Sequence, residues 1–194
     1  MIPRAIRRAS AAFAWIERLI LMGLVLSIAG FVLTNVLLRM FGVTIAWADE
    51  IAVYAMILSG FVGASLMLRA RIDPAVLLLH EMIPEGGRRI LRGVVSTVAL
   101  AFGGILLHLC WRWFDPLALI AAGFDVGAFE GATFNFVYTD TTPVMGIPAW
   151  YFYVIMPWFA LTVTVHAATN LLEDLGLLPR PADPAGLAME GASV

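Results

Sequence analysis

The chain has 194 residues, 61% of them apolar and 13% charged, with a mean hydropathy of +0.91; soluble globular domains carry about 25% charged residues. That composition excludes general disorder, a basic nucleic-acid-binding surface and a water-soluble enzyme of ordinary make-up. The net charge of −2 conceals that all twelve basic residues are arginine, and the single Cys110 rules out an intrachain disulfide or a multi-cysteine metal site.

A helix crossing the ~30 Å hydrocarbon core of a bilayer needs about 20 predominantly apolar residues. Four runs meet or approach that length, at 19–38, 51–68, 93–111 and 147–172. Arg4, Arg7 and Arg8 precede the first run like the basic region of a signal peptide, and Ser27-Ile28-Ala29 offers small residues at a cleavage-like spacing. The run nevertheless continues through Leu38, which makes it a span. Between the second and third runs, Asp73-Pro74 forms a cap and first-turn pair, and Pro84 with Gly86-Gly87 forms a stop. The segment between them predicts an interfacial helix of about 10 residues, apolar but for His80 and Glu81. It reads as a membrane-hugging linker or as a brace against a partner subunit. The 112–146 loop is long for one without structure of its own, and fits either a docking surface or a lid over the bundle. Beyond Leu175 the prolines and small residues predict a disordered tail, 176–194, after a membrane domain at 1–175.

Arginine distribution sets the expected orientation. Arg4, Arg7, Arg8, Arg18, Arg69, Arg71, Arg88, Arg89, Arg92 and Arg180 fall on one side of a four-span chain, and only Arg39 and Arg112 on the other. Both termini are therefore expected to be cytoplasmic. Trp47, Trp111, Trp113, Trp150 and Tyr151 fall at the expected outer ends of spans, where amphipathic rings favour the headgroup level. The fold class expected is an all-α membrane protein with four transmembrane helices.

Small residues in the spans, among them Gly23, Ser27, Gly30, Gly60, Gly63 and Gly103, favour close helix packing within the chain or against another subunit. The runs hold no Asp, Glu or Arg, only His108 and His166, so buried charge is not expected. The two histidines sit at different depths, about 20 Å apart along the membrane normal at 1.5 Å per residue, too far to grip one haem. No phosphate loop, zinc-protease helix or nucleophile elbow is present, nor an inverted repeat of the kind that carriers working alone use. No catalytic, cofactor-binding or metal-ligating residue is expected. One polar cluster stands out: Asn35 and Arg39 share a helix face at the outer end of span one, and Trp47, Asp49 and Glu50 open span two. An arginine–carboxylate pair there would close the hairpin, face a partner subunit, or both.

Asn35-Val36-Leu37-Leu38-Arg39, Trp47-Ala48-Asp49-Glu50, Phe61-Val62-Gly63-Ala64 and Arg69 together resemble the signature of the small membrane subunit of TRAP transporters, the DctQ family. Thr142-Pro143, then Gly146-Ile147-Pro148-Ala149-Trp150 and Pro157, resemble that family's lead into its last span, and the likeness runs from about residue 15 to 175. Where the family commonly has a His-Ile pair after span two, this chain has Arg71-Ile72-Asp73. The resemblance implies a tripartite, ATP-independent, sodium-driven uptake system of the bacterial inner membrane. In such a system a periplasmic substrate-binding protein delivers an organic anion, such as a carboxylate or sugar acid, to a large multi-span permease subunit. The small subunit would be a scaffold without catalytic residues. By the resemblance, Arg39, Trp47 and Glu50 order the outer hairpin and the subunit contact, Asn35 supports Arg39, and Asp49, Pro148 and Trp150 belong to the same region. Gly63 would permit close helix approach in span two. The alternative class is a redox subunit, a cytochrome-b-like four-helix bundle that anchors a partner to the membrane.

Overall fold

The computed structural model describes residues 2–72 and 84–186. The interfacial helix expected between Asp73 and Pro84 therefore lies outside the described residues, as do residues 187–194 of the tail. The chain is helical almost throughout, and among the described residues β-pairing is confined to one isolated bridge between Thr141 and Pro148. Among the described residues the helices are α1 (Ile2–Met40), α2 (Ala46–Ala70), α3 (Glu85–Phe114), α4 (Pro116–Ala121), α5 (Val126–Thr133), α6 (Trp150–Tyr153) and α7 (Ile155–Asp174). Among the described residues four helical stretches are long and apolar enough to cross a membrane: Pro3–Met40, Ala46–Ala70, Ile90–Ala121 and Trp150–Asp174.

The first span is the second half of a longer helix. α1 begins at Ile2, well before the apolar run, and its 39 residues amount to about 58 Å at 1.5 Å per residue. A heptad spacing carries it: Ser10, Ala14, Glu17, Leu21, Leu24, Ile28, Phe31 and Asn35 are its buried or half-buried stripe. Hydropathy alone misses residues 2–18 because alanine and arginine alternate there, yet both are strong helix formers. α1 ends in a Schellman turn, with Val43 N–H donating to Leu38 O and Gly42 N–H to Arg39 O; Gly42 takes the left-handed φ of +76° that this turn requires. Pro157 explains the break between α6 and α7. It has no N–H for the Tyr153 carbonyl, and its ring crowds that turn, so the helix is interrupted at Val154.

α7 packs against α1, α2 and α3, with its closest pairing to α3, while α1 pairs with α2. The tightest approach is at Gly103 of α3, where a Cβ would lie 2.7 Å from Thr164 Oγ1 and 3.0 Å from its backbone nitrogen. Gly63 does not play this part: a Cβ there would meet nothing within 4 Å, so it brings no two helices of this chain together. The interior is small, with Ala14, Val62, Leu66, Ala160 and Ala167 fully or nearly fully buried. Large apolar side chains along α1 and α3 point outward instead, including Leu26, Leu33, Val98 and Ile105. This is the inside-out distribution of a helix bundle solvated by lipid.

The segment 112–149 is structured. Asp115, at φ +37°, ends α3 and caps α4 through Ala118 N–H, while Asp125 caps α5 through the N–H groups of Gly127 and Ala128. Phe129 is buried under Tyr138, whose hydroxyl donates to Phe114 O at 2.7 Å. Trp113, Phe114, Tyr138, Trp150 and Tyr153 continue the ring contacts, so the loop is an aromatic cap over the ends of α3 and α6. Both described ends of the chain lie at the opposite, or terminal, end of the bundle.

Candidate functional site: clamps at the two ends of the bundle

At the hairpin end the sequence-predicted residues form two adjoining clamps. Asp49 takes both partners from α1: Asn35 Nδ2 donates to Oδ1 at 2.6 Å and Arg39 Nη2 to Oδ2 at 2.8 Å. Asn35 is buried, and its own carbonyl oxygen accepts the Ile45 N–H at 3.1 Å, so one side chain fixes the turn and the next helix together. The Arg39–Asp49 pair is about half exposed and on its own contributes at most ~1 kcal/mol; the buried amide gives the clamp its geometry. Trp47 packs edge-on to Phe31.

Glu50 faces another direction. Its two carboxylate oxygens accept the backbone N–H groups of Val144 and Met145, at 3.1 and 2.7 Å. That turn is built by Pro143 and by Gly146 at φ +65°, and is closed by Thr142 N–H to Ile147 O and the Thr141–Pro148 bridge. Glu50 thus bonds α2 to the peptide that leads into α6, and two sequence motifs about 95 residues apart are parts of one joint. Ala149 N–H donates to Asp140 O, which holds Pro148 in place, and Trp150 packs on Tyr138 and Tyr151.

The terminal end holds what the sequence reading missed. Arg69, 1% exposed, donates to Asn170 Oδ1 at 2.6 Å and to both oxygens of Glu173 at 2.9 and 3.2 Å. Asn170 Nδ2 returns a bond to Leu68 O, capping α2. Arg71, in the left-handed conformation that ends α2, reaches Asp174 Oδ1 at 2.7 Å and Asn170 O at 2.8 Å. Ser96 of α3 completes the set by donating to the other oxygen of Asp174. Arg69 and Arg71 thus face Glu173 and Asp174, with Arg92 and Arg180 lining a cleft beside the same two carboxylates, and the network ties α2, α3 and α7 together. A second buried group joins α1 to α7: the ring nitrogens of His166 lie 2.8 Å from Ser10 Oγ and 3.1 Å from Glu17 Oε2. An imidazole with its proton on Nε2 satisfies both contacts, donating to Glu17 and accepting from Ser10, a tautomer assigned from the partners.

The expectation that the bundle would hold no buried charge is therefore wrong. Glu17, Arg69 and Glu173 flank the apolar runs, and hydropathy counts them as solvated flanks, but the long α1 and the last turn of α7 cover them. The heptad that includes Ser10 and Glu17 was the available signal. His108 is exposed on α3, and both nitrogens of His166 are engaged by side chains, which leaves that ring no free nitrogen to ligate a haem iron.

Among the described residues, four apolar helices long enough to span a membrane are joined by buried charged groups bonded from one helix to another at the terminal end, the make-up of a multi-span membrane protein. The chain belongs to the DctQ family: it matches the model described as "Tripartite ATP-independent periplasmic transporters, DctQ component" over residues 28–177. It is thus the small subunit of a TRAP transporter, a transporter component of a family that is not an enzyme family, whose partners are a large membrane subunit and a substrate-binding protein. No curated protein and no solved structure matches the chain.

Proposed function

We propose that this chain is the fixed scaffold on which the large multi-span permease subunit is held during sodium-driven uptake of an organic anion, such as a carboxylate or sugar acid, across the bacterial inner membrane. The periplasmic substrate-binding protein delivers the solute to the face that bears the aromatic cap. The single observation carrying this reading is that, among the described residues, the charged side chains buried between the helices each bond to another helix of this chain. Arg69 and Arg71 are held by Glu173 and Asp174, and Glu17 by His166, contacts that occupy these groups within the bundle. Buried charged groups tied from helix to helix in this way suit an element that holds its position better than one that carries cargo.

The arginine asymmetry supports cytoplasmic placement of the terminal end, with the clamps of Asn35, Arg39, Asp49 and Glu50 on the periplasmic side. In this reading those clamps, with Trp47, Pro148 and Trp150, set the surface that the other components meet. Gly63, open to its surroundings, lies on a face left for a neighbouring helix of the large subunit. The test is co-purification with the large subunit alongside uptake in proteoliposomes. Glu50→Gln and Arg39→Ala are expected to lower complex yield and uptake together, with solute preference unchanged. Intact complex yield with altered preference would overturn the reading.

A further inference from the structure

Arg4, Arg7 and Arg8 lie at i, i+3 and i+4 on one face of α1. They line a cleft of about 730 Å³ whose other wall is Leu177, Leu178 and Pro179. Among the described residues none of the three makes an ion pair, whereas Arg39, Arg69 and Arg71 each hold a carboxylate. Three guanidinium groups facing a shared cleft without an acid repel one another, and an anion relieves that repulsion. Guanidinium favours phosphate because its planar fork matches two oxygens at once.

Position narrows the anion. Leu177 follows the last helical residue of α7, Asp174, by three positions, so the cleft opens where a spanning α7 leaves the apolar layer. On α1, Arg4 and Arg8 continue into one stripe with Trp15, Leu19, Met22 and Leu26, all four large and outward-facing. Arg8 lies seven residues, about 10 Å, from Trp15, and an exposed indole of this kind settles at the headgroup level. A molecule with a phosphate and two acyl chains fits both halves of the stripe.

We propose that the cleft between α1 and residues 177–179 binds the headgroup phosphate of an anionic phospholipid, whose chains lie along Trp15, Leu19, Met22 and Leu26. The inference rests on α1 and α7 crossing a bilayer and does not depend on the scaffold role. A bound lipid would hold the long arm of α1 against the end of α7, next to the Ser10–His166–Glu17 contacts.

The experiment is native mass spectrometry of the full chain in neutral detergent, titrated with dioleoyl phosphatidylglycerol or with phosphatidylcholine of the same chains. The expected result is at least about tenfold tighter retention of phosphatidylglycerol, lost in Arg4→Gln/Arg7→Gln/Arg8→Gln and in Leu177→Glu, which sets a carboxylate in the cleft wall at an exposed position. Arg112→Gln, at the opposite end, is expected to keep the preference. A third arm adds inorganic phosphate: failure to displace the lipid supports the proposal, whereas displacement at comparable concentration would identify a free-anion site and overturn it. Equal retention of the two lipids by the wild-type chain would overturn it, as would a preference that survives both cleft variants while helical content is unchanged.

Discussion

Replacing Glu173 with glutamine keeps the size of the side chain and removes one negative charge from a site where Arg69 is 1% exposed. Arg69 then retains Asn170 Oδ1 at 2.6 Å but has lost its carboxylate, and Arg71 keeps Asp174 at 2.7 Å. Removing one partner of a buried pair costs about 3–5 kcal/mol, because the remaining charge is left uncompensated. Arg69→Met alone is expected to cost less, about 2–3 kcal/mol, because Glu173 still faces Arg71 at 3.4 Å. In the double variant no bare charge remains and methionine fills much of the space, so the total is expected to stay below about 3 kcal/mol. The coupling between the two positions is then at least about 2 kcal/mol. Unfolding of the helical signal in mixed micelles, titrated with an anionic detergent for the wild type and all three variants, measures each quantity. Single effects that add to the double within about 0.5 kcal/mol, or a Glu173→Gln chain as stable as the wild type, would refute the assignment of this network as a helix-to-helix clamp.

Gly103→Ala should destabilise the bundle by about 1–3 kcal/mol, because the new methyl would lie 2.7 Å from Thr164 Oγ1 and 3.0 and 3.1 Å from its backbone nitrogen and Cα, and the backbone cannot turn aside as a side chain can; the same titration checks it. Gly63→Ala should leave the isolated chain within about 0.5 kcal/mol of wild type, and any fall in co-purification would then report a neighbour outside this chain. Glu50→Gln should loosen the 141–147 turn, seen as faster amide hydrogen exchange at Val144 and Met145, with exchange at Ile45 unchanged; equal acceleration at both places would mean that the two clamps are not separate. Tyr138 ionises above the ordinary tyrosine range because burial, and then the nearby Asp115 carboxylate, disfavour its anion. Its folded-state value is raised, so the contribution to stability is complete below the unfolded value near 10 and is lost as pH rises through the folded one. The near-ultraviolet circular dichroism of the cap should fade over that alkaline window, and Tyr138→Phe should reduce the pH dependence while weakening the cap at neutral pH.

The parts of this structure that reside in local pattern were legible in the sequence. Apolar length marks the four spans, and the i, i+4 relation of Asn35 and Arg39 next to Asp49 marks the hairpin closure, because ten residues of chain leave those groups little freedom. Arg69 and Glu173 are different: they stand 104 residues apart, and nothing local says that α2 and α7 end at the same level with these faces turned together. Hydropathy averages also treat charges at the ends of runs as solvent-facing, which hid Glu17, although its heptad partners Ala14, Leu21 and Leu24 were in view. Glu50 was identified as part of the site, but its acceptor role towards Val144 and Met145 was not, since a carboxylate bonded to backbone amides leaves no mark on the identity of the residues that donate. Gly63 shows the converse case: a glycine in a span permits close approach without requiring it, and within this chain Gly103 holds the tightest approach while Gly63 stays open.

The central claim is that this subunit supplies position and no charge-bearing transport site. The direct measurement is sodium-dependent solute uptake by proteoliposomes containing the large subunit and supplied with the substrate-binding protein, with and without this chain. Uptake should fall at least tenfold when the chain is omitted, and Arg69→Met/Glu173→Gln chains that still co-purify should restore it with the same sodium dependence. Full-rate uptake without the chain, or a changed sodium dependence with that double variant, would contradict the account.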